Sequence, residues 1–523
     1  MLFGLGFCAL LATWYYLNGF APLDCKEPPA AKTSLPIIGH FLGFYRHQIG
    51  YLELLRRRTF SSAYTLKVGN IKTYVVTEPG LSHAALQSRA LSLEPLSATV
   101  ATKMLGMSKT ANRHFGIDEH GHFIGSPMLT ERRLEFSKML ASGPSLTEPS
   151  QVASNCVANA VNNVGTGLGK HDLFGWLRDV ITVGTIGGLY GPMNPVALDP
   201  TLVEDIWTFD ENQLRLSWEI LQSLIAPAGV RAVNRIAAAF EAYVLEGRDK
   251  LASAAVRSTI SSAQKLGLSL NDYARLEVFN ISVATVNTVP TAVSMIYNIL
   301  AKPALPQALR DEIQAVLTHV NTGSPDPSGS SKTKKKKRKM QLDISRAAET
   351  CPLLVACYQE ALRIGSTPTC NRAVLEDTLL ADAATGADVL VRKGQRVSIP
   401  TFMLHSRDQI WGGDATAFDP WRFMPGGSAD AKGPGRARRE QGFVPYGGGL
   451  HLCPGRHLAK IEILATGALM VMGLDFLAGE DGKAIVAPTY SEATGAKKPE
   501  GETRIVRIRR REGWEDVEWS VKV

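Results

Sequence analysis

Cysteine is scarce: 7 in 523 residues, scattered and odd in number. That pattern argues against a disulfide-stapled secreted scaffold, which would be short and Cys-dense, and fits free thiols in a reducing compartment. Long Gly/Ser- or Pro-rich linkers are also missing. The length alone would allow three domains, but one large domain remains open. Aromatic residues make up only 7%, with 20% charged and 45% hydrophobic. These ordinary fractions argue against disorder, collagen-like repetition and a polytopic membrane protein. A distributed basic face is lacking too. The formal charge is +8, and Lys332, Lys334, Lys335, Lys336, Lys337, Arg338 and Lys339 carry seven of those charges, leaving +1 elsewhere. No nucleic-acid partner is expected from so local a run.

What is present begins with a charge-free stretch. Residues 2–23 contain no Asp, Glu, Lys, Arg or His. As a helix they would reach about 33 Å, against a hydrocarbon core of about 30 Å. A cleaved signal peptide would need a basic start and a small-residue cleavage site, and neither is clear. The expectation is a retained transmembrane anchor over 1–23. Prolines at 28, 29 and 36 then predict a semi-rigid hinge over 24–40.

The body, 41–523, reads as mainly α with a small β portion. Residues 63–77 alternate as one early strand, and 388–391, 396–399 and 504–508 read as later strands. Residues 276–300 form a long apolar helical run with Thr285, Asn287, Thr288 and Pro290 in its middle, where a kink is expected at the proline. Residues 323–340 are a low-complexity, Lys-rich insertion expected to be a solvated loop, with contact to anionic membrane lipid open to it.

The chemistry concentrates at residues 443–456, FVPYGGGLHLCPGR. Three successive glycines let the backbone approach a flat object. Cys453 precedes Pro454, which suits the first position of a helix running through Leu458, Ile461 and Leu464. A thiol at a helix N-terminus is favoured as thiolate, the metal-ligating form. The physical reading is an axial thiolate beneath a planar macrocycle.

This segment resembles the haem-binding loop of the cytochrome P450 superfamily, with Gly449 four residues before the cysteine and Gly455 two after it. With 47 glycines in 523 residues, chance places both around one of seven cysteines roughly 0.06 times. Two positions depart from the family pattern: Tyr446 replaces the usual Phe, and His451 the usual Arg. The resemblance implies haem b with Cys453 as axial ligand to iron, Tyr446, Gly449 and Gly455 around it, and His451 and Arg372 toward the propionates. It also assigns Glu360, Arg363 and Arg422 to a structural charge cluster. Glu360-Ala361-Leu362-Arg363 alone is unspecific, because Glu53-Leu54-Leu55-Arg56 has the same spacing; order and context give it weight. His405 and Asp408 fit the family's run as well.

In the long helix, the family usually places an acid before Thr288. Here Asn287 stands there, able to hydrogen-bond but not to ionise. The pattern Asn287-Thr288-Val289-Pro290 resembles the branch of sterol 7α- and 12α-hydroxylases and prostacyclin synthase. Asn287 and Thr288 are therefore the candidate catalytic pair, and two chemistries are implied. One is a monooxygenase using dioxygen and electrons from NADPH-cytochrome P450 reductase. The alternative is a reductase-independent isomerase that rearranges a peroxide. The resemblance further implies a cytochrome P450 fold on a single N-terminal membrane helix, at the endoplasmic reticulum with the catalytic domain cytosolic. It also implies a lipophilic small-molecule substrate (terpenoid, steroid or alkaloid) in a fungal secondary pathway. Pocket-lining segments are expected at 116–126, 207–224, 284–288, 366–369 and 491–496. Outside this class stand a zinc protein using Cys351, Cys357 and Cys370, whose spacings lack paired knuckles, and a membrane-tethered binding adaptor using the basic run.

Overall fold

Thr288–Leu300 carries no charged residue and is apolar on nearly all sides. A helix of that kind has no face to offer water and belongs in the interior. In the computed structural model every residue from Thr288 to Ile299 is buried. The structure describes residues 23–32, 39–47, 50–59, 61–68, 71–217, 222–320, 337–365, 369–424, 426, 436–477, 485 and 505–523. Around the central helix pack Leu173–Tyr190, Pro352–Gly365 and Arg456–Gly473, the last buried throughout from Glu462 to Gly473. Among the described residues helices dominate, and short strands form small sheets at the periphery.

The long helical run is broken as expected, but not at Pro290. Leu270–Thr285 and Thr288–Leu300 meet at Val286 and Asn287. Proline cannot donate to the carbonyl four residues earlier, and its ring crowds that carbonyl. For Pro290 this is Val286, so the break falls there. Together, residues 270–300 are the one described stretch long and apolar enough to cross a membrane, but 78% of the most apolar window is buried inside the protein. It is a core helix. The expected anchor, apart from Leu23, lies outside the described residues.

The early strand expected over 63–77 is two strands, Ala63–Val68 and Ile71–Val76, paired antiparallel. Ile71–Val76 pairs parallel with Arg396–Pro400, which pairs antiparallel with Thr369–Val374. This five-stranded sheet ends at Leu91–Ser92. Of the segment expected as a hinge, the first part is strapped to the sheet and residues 33–38 lie outside the described residues. Glu27 is buried and accepts from Tyr74 Oη at 2.6 Å and Lys72 Nζ at 2.8 Å. Thr65 donates to the Pro28 carbonyl at 2.6 Å. The Lys-rich segment is shorter than its composition indicates. Arg338–Asp343 is a strand, parallel to Val517–Lys522 and antiparallel to Leu317–His319. Arg338 is held by Asp516 at 2.7 Å, and Met340 is buried opposite Trp519.

One core group carries a stability consequence. Glu462 is fully buried; among the described residues it accepts only from Thr185 Oγ1, at 2.9 Å, and its Oε2 has no partner. Burial pushes its pKa up to about 8. A raised carboxyl is fully stabilising below its unfolded pKa, and stability then falls as pH rises toward 8. Between pH 4.5 and 7 that loss is on the order of 3 kcal/mol. Glu462→Gln should remove this part of the pH dependence and raise the melting temperature at pH 8. Parallel unfolding curves for both proteins from pH 5 to 8 would contradict it.

Candidate functional site

The loop before Arg456–Gly473 is shaped by its glycines. Gly449 has φ +63°, and a Cβ there would stand 1.9 Å from the Leu86 carbonyl oxygen, so only glycine fits. Cys453 donates its N–H to the Tyr446 carbonyl at 3.0 Å, closing the loop on itself. The helix starts at Arg456 with Gly455 before it, two residues later than Pro454 had indicated. The Gly455 and Arg456 N–H groups lie near the sulfur and favour its charged form. Burial raises the Cys453 thiol pKa, while these two N–H groups and the Arg456 guanidinium pull it down. A methyl on Gly455 would sit 4.0 Å from the sulfur, an ordinary contact.

Arg372 lies on Thr369–Val374 and is 3% exposed. Its Nη atoms reach the Asn371 carbonyl at 2.9 Å and the Gly448 carbonyl at 3.4 Å, while Nε has no partner. Among the described residues no carboxylate pairs with it. A buried guanidinium without an anion is costly, so this position fits an acidic group brought by a ligand. His451 stands where the family usually has Arg, and it is not a cation. Its Nε2 accepts the Leu93 N–H at 3.2 Å, which leaves the proton on Nδ1. Burial first, then the charges of Arg372 and Arg133, bring its pKa down to about 4. The residue missed in the sequence is Arg133, on Pro127–Met139, whose Nη1 donates to the Leu450 carbonyl at 3.3 Å. No local pattern marks it, because its partner is more than 300 residues away.

Behind the loop, Glu360 and Arg363 share a forked pair, Nε–Oε2 at 2.7 Å and Nη2–Oε1 at 2.6 Å. The other Arg363 donors reach the carbonyls of His405, Ala415 and Ala417, which satisfies all five N–H groups. Arg422 Nε lies 3.5 Å from Glu360 Oε1. His405 connects this cluster to the loop. Its Nε2 accepts the Val444 N–H at 3.1 Å and its Nδ1 faces the Arg363 carbonyl at 3.1 Å. Burial, then the Arg363 charge, holds its pKa at about 3, so the ring is neutral and Nδ1 donates.

At the helix break, Thr288 is buried and its hydroxyl makes no hydrogen bond among the described residues. Asn287 is exposed, and its side chain caps nothing. Of the expected pocket segments, 218–221, 366–368 and 491–496 lie outside the described residues. Trp207 is a core residue, packed edge-on to Phe174 at 5.6 Å.

The profile of the family described as Cytochrome P450 matches residues 219–485. A cytochrome P450 monooxygenase of Gibberella zeae is 30% identical over 99% of this chain and 95% of its own length. The chain belongs to the cytochrome P450 family. This P450 is also similar to a cytochrome P450 monooxygenase of Hypoxylon pulicicidum, 27% identical over 99% of the chain and 96% of the relative. At 23% identity over 86% of each chain it resembles the 7-alpha-hydroxycholest-4-en-3-one 12-alpha-hydroxylase of Oryctolagus cuniculus. The first two are fungal, in line with the origin expected from the sequence. Membership makes the chain a P450 monooxygenase with a haem iron held by a cysteine thiolate. Such enzymes act on a substrate with dioxygen and a reductase partner.

The other internal cysteines of this P450 are poor thiolates. Burial, then the Glu312 charge, pushes Cys351 up to about 11, and the same two causes raise Cys357 further. Burial raises Cys370 on its strand. Among the described residues no three His, Cys, Asp or Glu side chains form a metal-ligating group, which leaves the zinc reading without a site.

Proposed function

We propose that Cys453 is the axial haem ligand and that the enzyme hydroxylates or otherwise oxidises a lipophilic terpenoid, steroid or alkaloid. The observation that carries this is Cys453 in a glycine-shaped loop, closed by its own N–H on the Tyr446 carbonyl at 3.0 Å just before the Arg456–Gly473 helix. Arg372 supports it as a buried cation lacking an anion. Bound haem supplies dioxygen binding and the oxidising equivalent for C–H attack. The chain supplies the rest. Burial leaves the Cys453 thiol pKa raised on balance, and the N–H groups of Gly455 and Arg456 with the Arg456 charge partly offset this; Arg372 would take a propionate, with Arg133 and His451 near it. Gly448 and Gly449 let the loop lie close against Leu86. Thr288 presents a free hydroxyl that can hold a water and pass a proton inward.

In the reduced, carbon monoxide-bound spectrum the wild type should show the Soret position of a thiolate-ligated haem, and Cys453→Ala should lose it completely. An unchanged Soret band in well-folded Cys453→Ala would end the assignment. Asn287 favours one second reading, a peroxide-rearranging isomerase, because an amide cannot relay a proton by ionising.

The membrane arrangement is part of this proposal. Residues 1–23 anchor the protein, 24–40 lead to the catalytic domain at 41–523, and that domain faces the cytosol at the endoplasmic reticulum. The apolar length of residues 2–23 supports it, as does the common placement of eukaryotic P450 enzymes. Carbonate-washed membranes should retain the protein, and protease outside sealed microsomes should digest its body. Full protection would reverse the topology. Of the Lys-rich stretch, residues 323–336 lie outside the described residues; in this reading its charges are available to anionic lipid.

A further inference from the structure

Most of the helix Leu270–Thr285 lies in the core, but one stripe of it is open. Asn280 and Ala284 are half-buried, Val283 is 46% exposed, and Asn287 at the helix break is exposed. Steps of three and four residues put all four on one face. Earlier on that face Asp272 accepts from the Ser108 hydroxyl at 2.7 Å and from its N–H at 2.8 Å. Leu276 borders a small gap with Met128 and Arg132 of Pro127–Met139. That neighbouring helix also carries Arg133, which reaches the Leu450 carbonyl beside Cys453. The open stripe therefore faces the space between Ser108, Pro127–Met139 and the Cys453 loop. Leu276, Val283 and Ala284 make this wall apolar. Asn280 is the polar side chain set into it.

The amide of Asn280 is held one way round. Its Nδ2 donates to Glu277 Oε1 at 2.6 Å. Glu277 is buried, and its Oε2 accepts from the Tyr190 hydroxyl. Turning the amide over would set its own oxygen against a carboxyl oxygen, so the nitrogen stays inward. Asn280 Oδ1 then faces away from Glu277, and among the described residues nothing donates to it. This is a fixed acceptor on an apolar wall, and an acceptor shut away from water without a donor is unfavourable.

We propose that Asn280 binds substrate, its Oδ1 accepting from a hydroxyl or N–H group, so that the enzyme takes a lipophilic molecule already bearing such a donor. The inference rests on the reading of the chain as an oxidase of lipophilic molecules. Seven residues separate Asn280 from Asn287, about 10 Å at the rise of a helix. The donor is thereby held about that far from the carbon oxidised beside Thr288. An analogue lacking the donor leaves the acceptor unpaired and is rejected. Glu277 is a positioning residue, because it sets which end of the amide meets the substrate. The reaction that supplies this substrate must leave a hydroxyl or N–H on it.

The test is a spin-state titration of the full-length haem protein with matched probes. The pairs are a steroid alcohol and its ketone, a diterpenoid alcohol and its ketone, and an indole alkaloid and its N-methyl derivative. For a pair that binds, wild type should favour the donor-bearing member by roughly tenfold. Asn280→Leu should bring that ratio close to one by weakening the donor-bearing member alone. Damaged packing would weaken both members and leave the ratio as it was. Glu277→Gln frees the amide to turn and should lower the ratio part of the way. Equal affinities within each bound pair in wild type, or an unchanged ratio in Asn280→Leu, would overturn the proposal. If Asn280→Leu fails to hold haem, Asn280→Ala removes the same acceptor without added bulk, and an unchanged ratio there counts equally against it. A normal haem spectrum that responds to no pair would instead overturn the substrate class beneath the proposal.

Discussion

Thr288→Ala should lower the product formed per NADPH consumed by about tenfold or more, the scale of a lost proton-transfer aid, and should release hydrogen peroxide. The variant should fold normally, because the Thr288 hydroxyl has no hydrogen-bond partner among the described residues to lose. What it loses is a hydroxyl at the start of the Thr288–Leu300 helix that makes no hydrogen bond among the described residues and so can hold an incoming water. Without that proton source, two electrons from the reductase leave with dioxygen and two protons as peroxide instead of entering product and water. Asn287→Asp places an ionisable group beside Thr288 and should preserve or improve coupling. The measurement is NADPH, peroxide and product balance for wild type and both variants, with a control lacking reductase. Reductase-free turnover of a peroxide substrate, unaffected by Thr288→Ala, would sink the monooxygenase assignment and favour the isomerase while leaving the Cys453 haem intact.

Glu360→Ala should cost about 3–5 kcal/mol, the range for removing one partner of a buried ion pair. Both Arg363 and Arg422 would then face the interior with no carboxylate between them. The effect should reach the haem site through a traceable route. Arg363 holds the His405 carbonyl, and the neutral His405 ring holds the Val444 N–H at the start of the thiolate loop. Haem content should therefore fall along with the melting temperature. Arg363→Lys keeps the charge but offers at most three donors where five are used, so it too should lose haem. His405→Ala leaves the ion pair in place and should lower haem content more than it lowers the melting temperature. Full haem occupancy in all three, with melting within a degree of wild type, would show that the cluster does not support the loop.

How much of this was readable in the chain depends on the distance between partners. Cys453, Gly449, Gly455 and Tyr446 lie within ten residues, and their relation is a matter of local turn geometry. Glu360 and Arg363 are one helical turn apart, so their pairing is local, but the same spacing at Glu53 and Arg56 makes a half-exposed pair. Burial separates the two cases, and burial is a tertiary property. His451 shows the same dependence: burial first, then the charges of Arg372 and Arg133, with a backbone N–H from Leu93 on Nε2, make it a neutral imidazole.

The sequence by itself determined the closed glycine loop around Cys453, the helix interrupted near Pro290 and the helical class. Each follows from residues close enough along the chain for sterics and periodicity to act. It also placed the later strands to within a residue or two, because alternation is local. Tertiary structure decided the partners: Arg133 against Leu450, His405 against Val444, Tyr358 against Tyr446, and the strap of Glu27 on Lys72 and Tyr74. It also turned the last residues of the Lys-rich run into a strand, by pairing them with the chain's C-terminal end. These contacts join segments 39 to 317 residues apart, counting from Arg338–Asp343 only through its distant strand partner. No local pattern encodes such contacts, since each requires a second surface that exists only once the helices have packed.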